Sequence, residues 1–293
     1  MTTKPNMSRL FVPINYTILT LLAVICVAPL LHILALSFSS TSEILSGRVT
    51  IFPREFNTDA YKEILKDVSL YRSLIFTVVM TFTYTALCML MTIVAAYPLT
   101  RRGLKGRKYF LYIIIPTMYF GGGIIPEYLL VKGLNLLDTM WALILPSLIS
   151  PFYMIILMSF IRSIPTGLEE AAEIDGASPF QVLVRVILPL TIPALVTLSL
   201  FYAVSRWNGF TDSLFYITKA ELYPLQLKLY HIVNNATSID VSMAERFSER
   251  EAPLLPESTK AATIIFAVTP IIMVYPWLQK YFISGTMLGS IKE

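Results

Sequence analysis

The sequence predicts an all-α, polytopic membrane protein with six transmembrane helices, on three observations. Of its 293 residues, 55% are hydrophobic and only 14% are charged, and the mean hydropathy is +0.66. A soluble domain carries nearer a quarter charged residues. Long apolar stretches recur along the chain with polar connections between them. One short connection holds several basic residues and no acidic residue, which is typical of a loop between membrane spans.

Composition also argues against several other classes of protein. The net charge of +4 is too mild to indicate a nucleic-acid partner. Cys26 and Cys88 both fall in apolar stretches, so a disulfide framework is not expected. His32 and His231 are the only histidines, which argues against a metal site. No phosphate-binding GxxxxGK[ST] loop occurs in the chain, so we expect no cofactor bound by this chain itself.

Six apolar stretches set the predicted spans within a single transmembrane domain, residues 1–293. They comprise residues 15–38, 73–99, 109–131, 139–160, 189–212 and 260–282, with a polar loop at 161–188. At about 1.5 Å per residue the first stretch crosses a hydrocarbon core of about 30 Å. It is too long for a signal-peptide core, so we interpret it as retained.

The connection after the first span, residues 39–72, contains a candidate amphipathic helix that starts after Asn57 or Thr58. Its apolar residues recur at helical spacing: Tyr61, Ile64, Leu65, Val68 and Tyr71. Two interpretations stay open, a helix at the membrane interface and a helix packed on the bundle.

The second span carries one weakly polar stripe: Thr77, Thr81, Tyr84 and Cys88. Such a stripe more often mediates contacts between membrane helices than it lines a pathway.

The basic loop fixes the predicted orientation. It contains Arg101, Arg102, Lys105, Arg107 and Lys108 without an acid. The positive-inside rule therefore makes it cytoplasmic. Two spans precede it and four follow, so we expect both termini in the cytoplasm.

Glycine and proline interrupt the third span, at Pro116, Gly121, Gly122, Gly123 and Pro126. Each of the glycines costs a helix about 1 kcal/mol. Unwound backbone inside a membrane must be buried or face a cavity, which favours a broken helix along the translocation path. Close helix packing, or a helix that ends near Gly121, remains an equal alternative. Tyr119 and Gly122 are candidate pathway residues.

Prolines and one arginine distinguish the fourth and fifth spans. Pro146 and Pro151 predict kinks in the fourth span. On the fifth, Ser199, Tyr202 and Arg206 share one helical face, and Trp207 and Asn208 follow. An arginine at mid-bilayer costs about 2.5–3.5 kcal/mol on insertion scales, so Arg206 is expected to line a pathway or to snorkel to the headgroups.

The long connection after the fifth span is predicted to face outward. Its residues 224–233 predict a short helix, and residues 234–256 a mobile loop.

The polar stretch from Glu169 to Pro189 is predicted to form two short helices with a sharp corner. Thr166 and Glu169 match a capping box that starts a helix at Gly167. Gly176 is expected to end this helix in a left-handed conformation. A second helix is expected to begin after it, with Ser178 as N-cap, Pro179 at N1 and Gln181 at N3. The residues predicted to share one face of the first helix are Leu168, Ala171, Ala172 and Asp175.

The spacing in this stretch resembles the EAA signature of ABC-importer permeases. It reads Glu170-Ala171-Ala172, three residues, Gly176, nine residues, and then Val186-x-Leu188-Pro189. Val186 is a minor departure, since the pattern prefers isoleucine there. The resemblance implies that the loop is a cytoplasmic coupling helix between helices 4 and 5, which docks in a cleft of an ATP-binding subunit. The implied docking residues are Glu169, Glu170, Ala171, Ala172, Asp175 and Gly176.

The resemblance covers nearly the whole chain. The segments FGGGIIPEYLLVKGLNLLDTMWALILP, LFYAVSRWNGFTDSLFYI and YPWLQKYFISGTMLGSIKE are similar to the carbohydrate-uptake branch of these permeases, in the role of the maltose importer's smaller permease. This implies a multi-pass protein of the bacterial inner membrane. The implied partners are a second, homologous permease, two ATP-binding subunits that bind ATP and Mg, a periplasmic or lipid-anchored solute-binding protein, an oligosaccharide and membrane lipid, with no nucleic acid.

The implied mechanism is ATP-driven alternating access, with ATP hydrolysis in a separate subunit and no catalytic residues here. For the substrate, Arg206 facing a cavity would pair with a carboxylate, which favours acidic oligosaccharides such as alginate. Tyr119, Tyr202 and Trp207 are candidates for stacking on sugar rings. Three alternatives stay open: an ABC permease for another solute class, a secondary transporter or channel without an ATPase, and a membrane-embedded assembly or sensor subunit.

Overall fold

A computed structural model describes residues 7–101, 103–242 and 257–288, and these residues form helices and connections without a strand. The α-helices in chain order are α1 (Met7–Ser37), α2 (Thr41–Leu45), α3 (Asp59–Ile64), α4 (Val68–Thr100), α5 (Arg107–Ile114), α6 (Ile124–Gly133), α7 (Pro151–Ser163), α8 (Thr166–Ile174), α9 (Pro179–Val182), α10 (Leu188–Asn208), α11 (Thr211–Tyr216), α12 (Leu225–Ser242) and α13 (Glu257–Leu288). A π-helical turn, Leu183–Ile187, joins α9 to α10.

Within the described ranges, four helical stretches are long and apolar enough to cross a membrane. They are Phe11–Ser37, Val68–Thr100, Pro179–Asn208 and Glu257–Val274. The pair Met140–Ser147 and Pro151–Ser163 passes the same test only together, bent by 53°, and makes a fifth span if it is counted as one. These stretches overlap the first, second, fourth, fifth and sixth predicted spans.

The bend in the fourth span confirms the predicted kinks. Pro146 lies in a 3₁₀ turn, Leu145–Ser147, and Pro151 begins α7. Ser150 caps α7, with its hydroxyl accepting from the Tyr153 amide. A proline at the first helical position needs no amide partner, so the chain can change direction here.

The third predicted span, 109–131, is interrupted, so the expectation of a broken segment is confirmed. α5 ends at Ile114 and a 3₁₀ turn, Ile115–Met118, follows. The chain is then unwound until α6 begins at Ile124, after Gly123 with φ +86°. The helix thus ends before Gly121 and resumes beyond the glycines, and the segment is not one continuous spanning helix.

Contacts divide the chain into two compact units. The first draws on Met1–Leu70 and Leu229–Pro270, and the second on Tyr71–Lys228 and Ile271–Glu293.

In the first unit, α3 packs on the end of α1. The Tyr61 ring stacks on Phe38 with centroids 4.7 Å apart, and the Tyr61 and Ser37 hydroxyls lie 2.8 Å apart. The predicted helix over residues 61–71 is therefore two helices, α3 and the start of α4. Asn57, not Thr58, supplies the side-chain bond at the start, accepting from the Asp59 amide at 2.7 Å.

In the second unit, α4, α7 and α10 enclose the main apolar core. Its buried residues on these helices include Cys88, Met89, Met154, Leu157, Met158 and Leu198. The polar stripe of α4 makes helix contacts, as predicted. The Tyr84 hydroxyl donates to the Ser147 carbonyl at 3.2 Å, and the Thr77 hydroxyl accepts from the Leu225 amide at 2.8 Å.

The connection after the fifth span contains the predicted helix at 224–233, which the structure extends to Ser242 as α12. Most of the loop predicted as mobile, residues 243–256, lies outside the described residues.

Candidate functional site

The loop between α7 and α10 contains the helix that the sequence singled out. α8 runs from Thr166 to Ile174 and follows Pro165, which occupies the N-cap position without a side-chain hydrogen bond. The predicted Thr166–Glu169 capping box is therefore wrong, because the helix starts one residue early. Glu169 instead reaches across to Arg101.

Gly176 makes the predicted corner. Its φ of +83° is left-handed, which suits a residue without a side chain. The Gly176 amide donates to the Glu173 carbonyl at 3.0 Å, and the Ala177 amide to the Ala172 carbonyl at 2.9 Å. These two bonds form a Schellman motif and satisfy the last carbonyls of α8.

The helical restart after the corner is confirmed as predicted. The Ser178 hydroxyl accepts from the Gln181 amide at 3.4 Å, and the Gln181 side-chain oxygen accepts from the Ser178 amide at 2.8 Å. This capping box, with Pro179 in the first turn, starts α9.

The boundary at 188 is wrong, however. Helical structure continues from Pro179 through the π-helical turn to Asn208, so the predicted second coupling helix and the fifth span form one helical stretch. This stretch ends at Asn208 rather than at residue 212, because Gly209 is extended.

α8 divides the six predicted docking residues between two surroundings. Glu170, Ala171, Asp175 and Gly176 are exposed. Ala172, in contrast, packs on the apolar core. Ala172 is therefore less accessible to a partner than Ala171.

Ile174, which is not among the predicted docking residues, is 86% exposed. It is a large apolar side chain on a short helix whose other exposed residues are mostly polar or small. The available signal was a single apolar residue in a run of polar ones.

Arg101, the residue directly after α4, contacts the side of α8 that faces the rest of the permease. Its guanidinium contacts Glu169 at 2.5 Å and Glu173 at 3.0 Å. It also lies over the Tyr97 ring, 5.1 Å from the centroid, and the Tyr97 hydroxyl donates to the Pro179 carbonyl at 3.0 Å. The two arms of the Gly176 corner are therefore both tied to α4.

A cavity of about 610 Å³ lies beside this contact. Three arginines and three glutamates line it: Arg101, Arg107, Arg162, Glu169, Glu170 and Glu173. Neither Arg107 nor Arg162 forms an ion pair within the described residues.

Arg206 neither faces a cavity nor snorkels, which corrects the sequence-based expectation. Its side chain is 5% exposed and pairs with Asp212, with Nη1–Oδ2 at 2.5 Å and Nη2–Oδ1 at 2.8 Å. Nη1 also donates to the Leu143 carbonyl at 2.9 Å. The charge is neutralised inside the protein, so it is not offered to a substrate carboxylate.

Tyr202 is also a core residue rather than a sugar-stacking one. Its ring is buried, and its hydroxyl lies 2.8 Å from the Thr92 hydroxyl and accepts from the Ser150 amide at 3.2 Å. Trp207 is partly buried. The Asn208 amide is exposed and donates back to the Val204 carbonyl at 2.9 Å.

The unwound part of the third segment exposes two aromatic rings. Tyr119 is 78% exposed and Phe120 is 80% exposed. Gly122 is also exposed, and a side chain there would meet only the Pro126 ring, at 3.7 Å. The structure does not bring Tyr119 and Gly122 together with Arg206, since the latter is enclosed by other groups.

The sequence model of one protein family, described as "Binding-protein-dependent transport system inner membrane component", matches residues 8–287. The chain belongs to this family. Membership fits the apolar helices and assigns the protein to an inner membrane. The family description states a role in transport that depends on a binding protein, and it favours neither a channel nor an assembly or sensor subunit.

Two relatives from Bacillus subtilis (strain 168) are similar to this permease over nearly their full lengths. The "Polygalacturonan/rhamnogalacturonan transport system permease protein YtcP" is 40% identical over 97% of this chain and 99% of its own. "Protein LplC" is 40% identical over 97% and 95%.

A solved structure shares the fold with a TM-score of 0.84, at 30% identity over 96% of this chain and 100% of that chain. It is described as a bacterial ABC transporter "involved in the import of the acidic polysaccharide alginate".

Proposed function

We propose that this permease is one of two homologous membrane subunits of an ABC importer for acidic oligosaccharides. The proposal of an acidic substrate is supported by the relatives: one is named for polygalacturonan and rhamnogalacturonan, and a structural neighbour for alginate. These polysaccharides all contain uronic acids, so the shared chemical feature is a sugar ring that bears a carboxylate.

The proposal of ATP-driven coupling is supported by the exposed face of α8. Exposed Glu170, Ala171 and Ile174 offer a carboxylate, a small side chain and an apolar side chain on a helix whose C-terminus is capped by the Gly176 corner. In our proposal α8 is the cytoplasmic coupling helix, and Ile174 enters an apolar recess of an ATP-binding subunit while Glu170 pairs with a basic residue there. ATP and Mg bind only to that subunit.

The proposed topology has six crossings with both termini in the cytoplasm. The broken third segment counts as a crossing, because its two helices together match a membrane span in length and because the basic loop before it favours the cytoplasmic side. A binding protein, periplasmic or lipid-anchored, delivers the sugar on the opposite side.

The unwound segment is the proposed part of the sugar pathway. Tyr119 and Phe120 present open aromatic faces, and unwound backbone is tolerated in a membrane where it borders a polar cavity. Since Arg206 is neutralised by Asp212, recognition of the substrate carboxylate falls to other groups, in this subunit or its partner.

Reconstitution of the complete transporter tests the proposal. The permease pair, the ATP-binding subunits and the binding protein are placed in proteoliposomes, and ATP hydrolysis is measured with oligogalacturonates or alginate oligomers. The matched neutral ligands are the same oligosaccharides with their carboxylates reduced to alcohols. We expect stimulation by the acidic forms, and little by the reduced forms. Equal stimulation would refute the acidic substrate class.

The same preparation tests α8 through Gly176→Pro. Proline cannot adopt a φ of +83° and lacks the amide that bonds to Glu173, so the corner is lost. We expect an assembled complex whose hydrolysis no longer responds to loaded binding protein. Undiminished stimulation in the assembled variant would mean that the loop is only a connection.

A further inference from the structure

We infer that Arg101 is a positioning residue that joins the coupling helix α8 to the membrane helix α4, so that movement of one displaces the other. The inference rests on the proposed function of α8 and adds to it the route by which the movement reaches the membrane bundle.

The first observation is that two neighbouring glutamates of α8 lie on opposite sides of the helix. Glu169 and Glu170 are adjacent in sequence, but Glu169 is partly buried against Arg101 while Glu170 is exposed. The first faces the permease's own bundle, and the second is left for a partner. A helix with one carboxylate on each side is suited to link two bodies.

The second observation is that the Arg101 side chain alone makes two ion pairs with α8. Arg101 bonds to two glutamates one turn apart, which fixes both the position and the orientation of α8 relative to the end of α4. An arginine suits this role because its planar group presents several donors in a fixed arrangement.

The third observation is that α4 also contacts the start of α9, on the other side of Gly176. Tyr97, one turn before Arg101 on α4, lies under the guanidinium and donates to the carbonyl of Pro179, where α9 begins. The Arg101–Tyr97 pair thus holds α8 on one side of Gly176 and the start of the long α9–α10 stretch on the other. A displacement of α8 therefore acts on two membrane helices at once.

The matched control lies in the same cavity. Arg107 has the same charge and lines the same space, yet it forms no ion pair within the described residues. Its replacement changes the charge of the cavity by the same amount without removing the contact to α8.

The test uses the complete transporter in proteoliposomes, with the probe being the loaded binding protein and ATP. The measured quantity is the ratio of stimulated to unstimulated ATP hydrolysis, together with sugar uptake per ATP hydrolysed. We expect Arg101→Gln to lower this ratio and the uptake per ATP by about tenfold, and Arg107→Gln to leave both within about twofold of wild type, as for a site without a direct contact.

A second variant keeps the inference testable if Arg101→Gln does not assemble. The double replacement Glu169→Gln with Glu173→Gln leaves the arginine and removes its partners, and it is expected to uncouple to the same extent. Adding Arg101→Gln to it is then expected to cause no further loss, because the contact is already absent.

The possible results distinguish a failure of the proposed function from a failure of the role assigned to Arg101. A wild-type complex that shows no stimulation by binding protein refutes the proposed function. A coupled wild type, with assembled Arg101→Gln or Glu169→Gln/Glu173→Gln complexes that are equally coupled, refutes only the role of Arg101. Purely additive losses would also refute it, since residues that act through one contact are not additive.

Discussion

Arg206, which is buried, and Asp212, which is partly exposed, form a two-bonded ion pair at the end of α10. Both nitrogens at the tip of the guanidinium meet the carboxylate, at 2.5 and 2.8 Å. The pair joins the last turn of α10 to the first turn of α11, and the bond from Arg206 to the Leu143 carbonyl adds the segment before α7. The Arg206 charge, which is predicted from the sequence to pair with a substrate carboxylate, instead stabilises contacts within the fold.

We expect Asp212→Asn to destabilise the permease by about 2 kcal/mol, since hydrogen bonds to charged groups contribute about 1.5–3 kcal/mol and Asp212 is partly exposed. The variant leaves the Arg206 charge buried without its partner. Thermal unfolding of the purified permease in detergent measures the change. Asn208→Ala is the control, because its amide bonds only back to its own helix. Equal stability of both variants would contradict a structural role for the pair.

Local patterns allowed much of the fold to be predicted. Hydropathy located the first, second and sixth spans, because the free energy of placing a helix in lipid depends mainly on the side chains of that same stretch. The corner at Gly176 and the restart at Ser178 were predicted correctly, since both are satisfied by bonds within a few residues.

The incorrect predictions share a different physical origin. Glu169 was assigned to a local cap, but its partner Arg101 lies 68 positions earlier in the chain. Helical spacing grouped Tyr202 and Arg206 on one face correctly, yet spacing cannot distinguish a face on the core from a face on a cavity. The partner of Arg206 lies beyond the end of the helix, where the helical pattern no longer applies.

Substitutions at Gly176 are expected to follow backbone conformation. A side chain there meets no atom within 4 Å, so any cost comes from the φ of +83°. We expect Gly176→Ala to destabilise the permease by about 1 kcal/mol, and Gly176→Asn by less, because asparagine tolerates this conformation.

The control for Gly176 is Gly167→Ala on α8, which also has open space and no positive φ. It should be neutral or stabilising, since alanine favours a helix more than glycine does. Thermal unfolding of the three variants gives the order, and a greater loss at Gly167 than at Gly176 would contradict the argument.

Tyr202→Phe tests whether this residue belongs to the core. Removing the hydroxyl leaves the buried Thr92 hydroxyl and the Ser150 amide without their partner, at an expected cost of about 1–3 kcal/mol. Sugar affinity of the assembled transporter should stay unchanged. Tyr119→Phe removes an exposed hydroxyl and should not affect stability. A stable Tyr202→Phe variant with weaker sugar affinity would reinstate Tyr202 as a pathway residue.

Tyr119 is expected to contribute to sugar transport through its exposed ring. We expect Tyr119→Ala to raise the sugar concentration for half-maximal uptake about fivefold, which corresponds to about 1 kcal/mol for a lost aromatic contact. Phe82→Ala is the control, because Phe82 is an equally exposed aromatic ring on the unbroken helix α4. Equal effects of the two replacements, or none at Tyr119, would argue against a pathway at the unwound segment.

Asp138 should make stability depend on pH. It accepts hydrogen bonds from the Thr218 hydroxyl at 2.7 Å, the Thr218 amide at 2.6 Å and the Lys219 amide at 3.0 Å. These bonds, led by the one from the Thr218 side chain, favour the ionised carboxylate and hold the pKa of Asp138 below its ordinary value of 3.8. A carboxyl whose pKa is lower in the folded state adds stability above its unfolded pKa, and that stability is lost as the pH falls through the folded pKa.

We therefore expect Asp138→Asn to unfold at a lower temperature than wild type at neutral pH, with the difference shrinking once the pH drops below about 4. Thermal unfolding in detergent at a series of pH values measures this. Thr218→Val, which removes only the hydroxyl bond and leaves the two amide bonds, should show a smaller difference that shrinks over the same range. A difference between wild type and Asp138→Asn that is the same at every pH would mean that the carboxylate charge does not stabilise this connection, and that only the shape of the side chain matters.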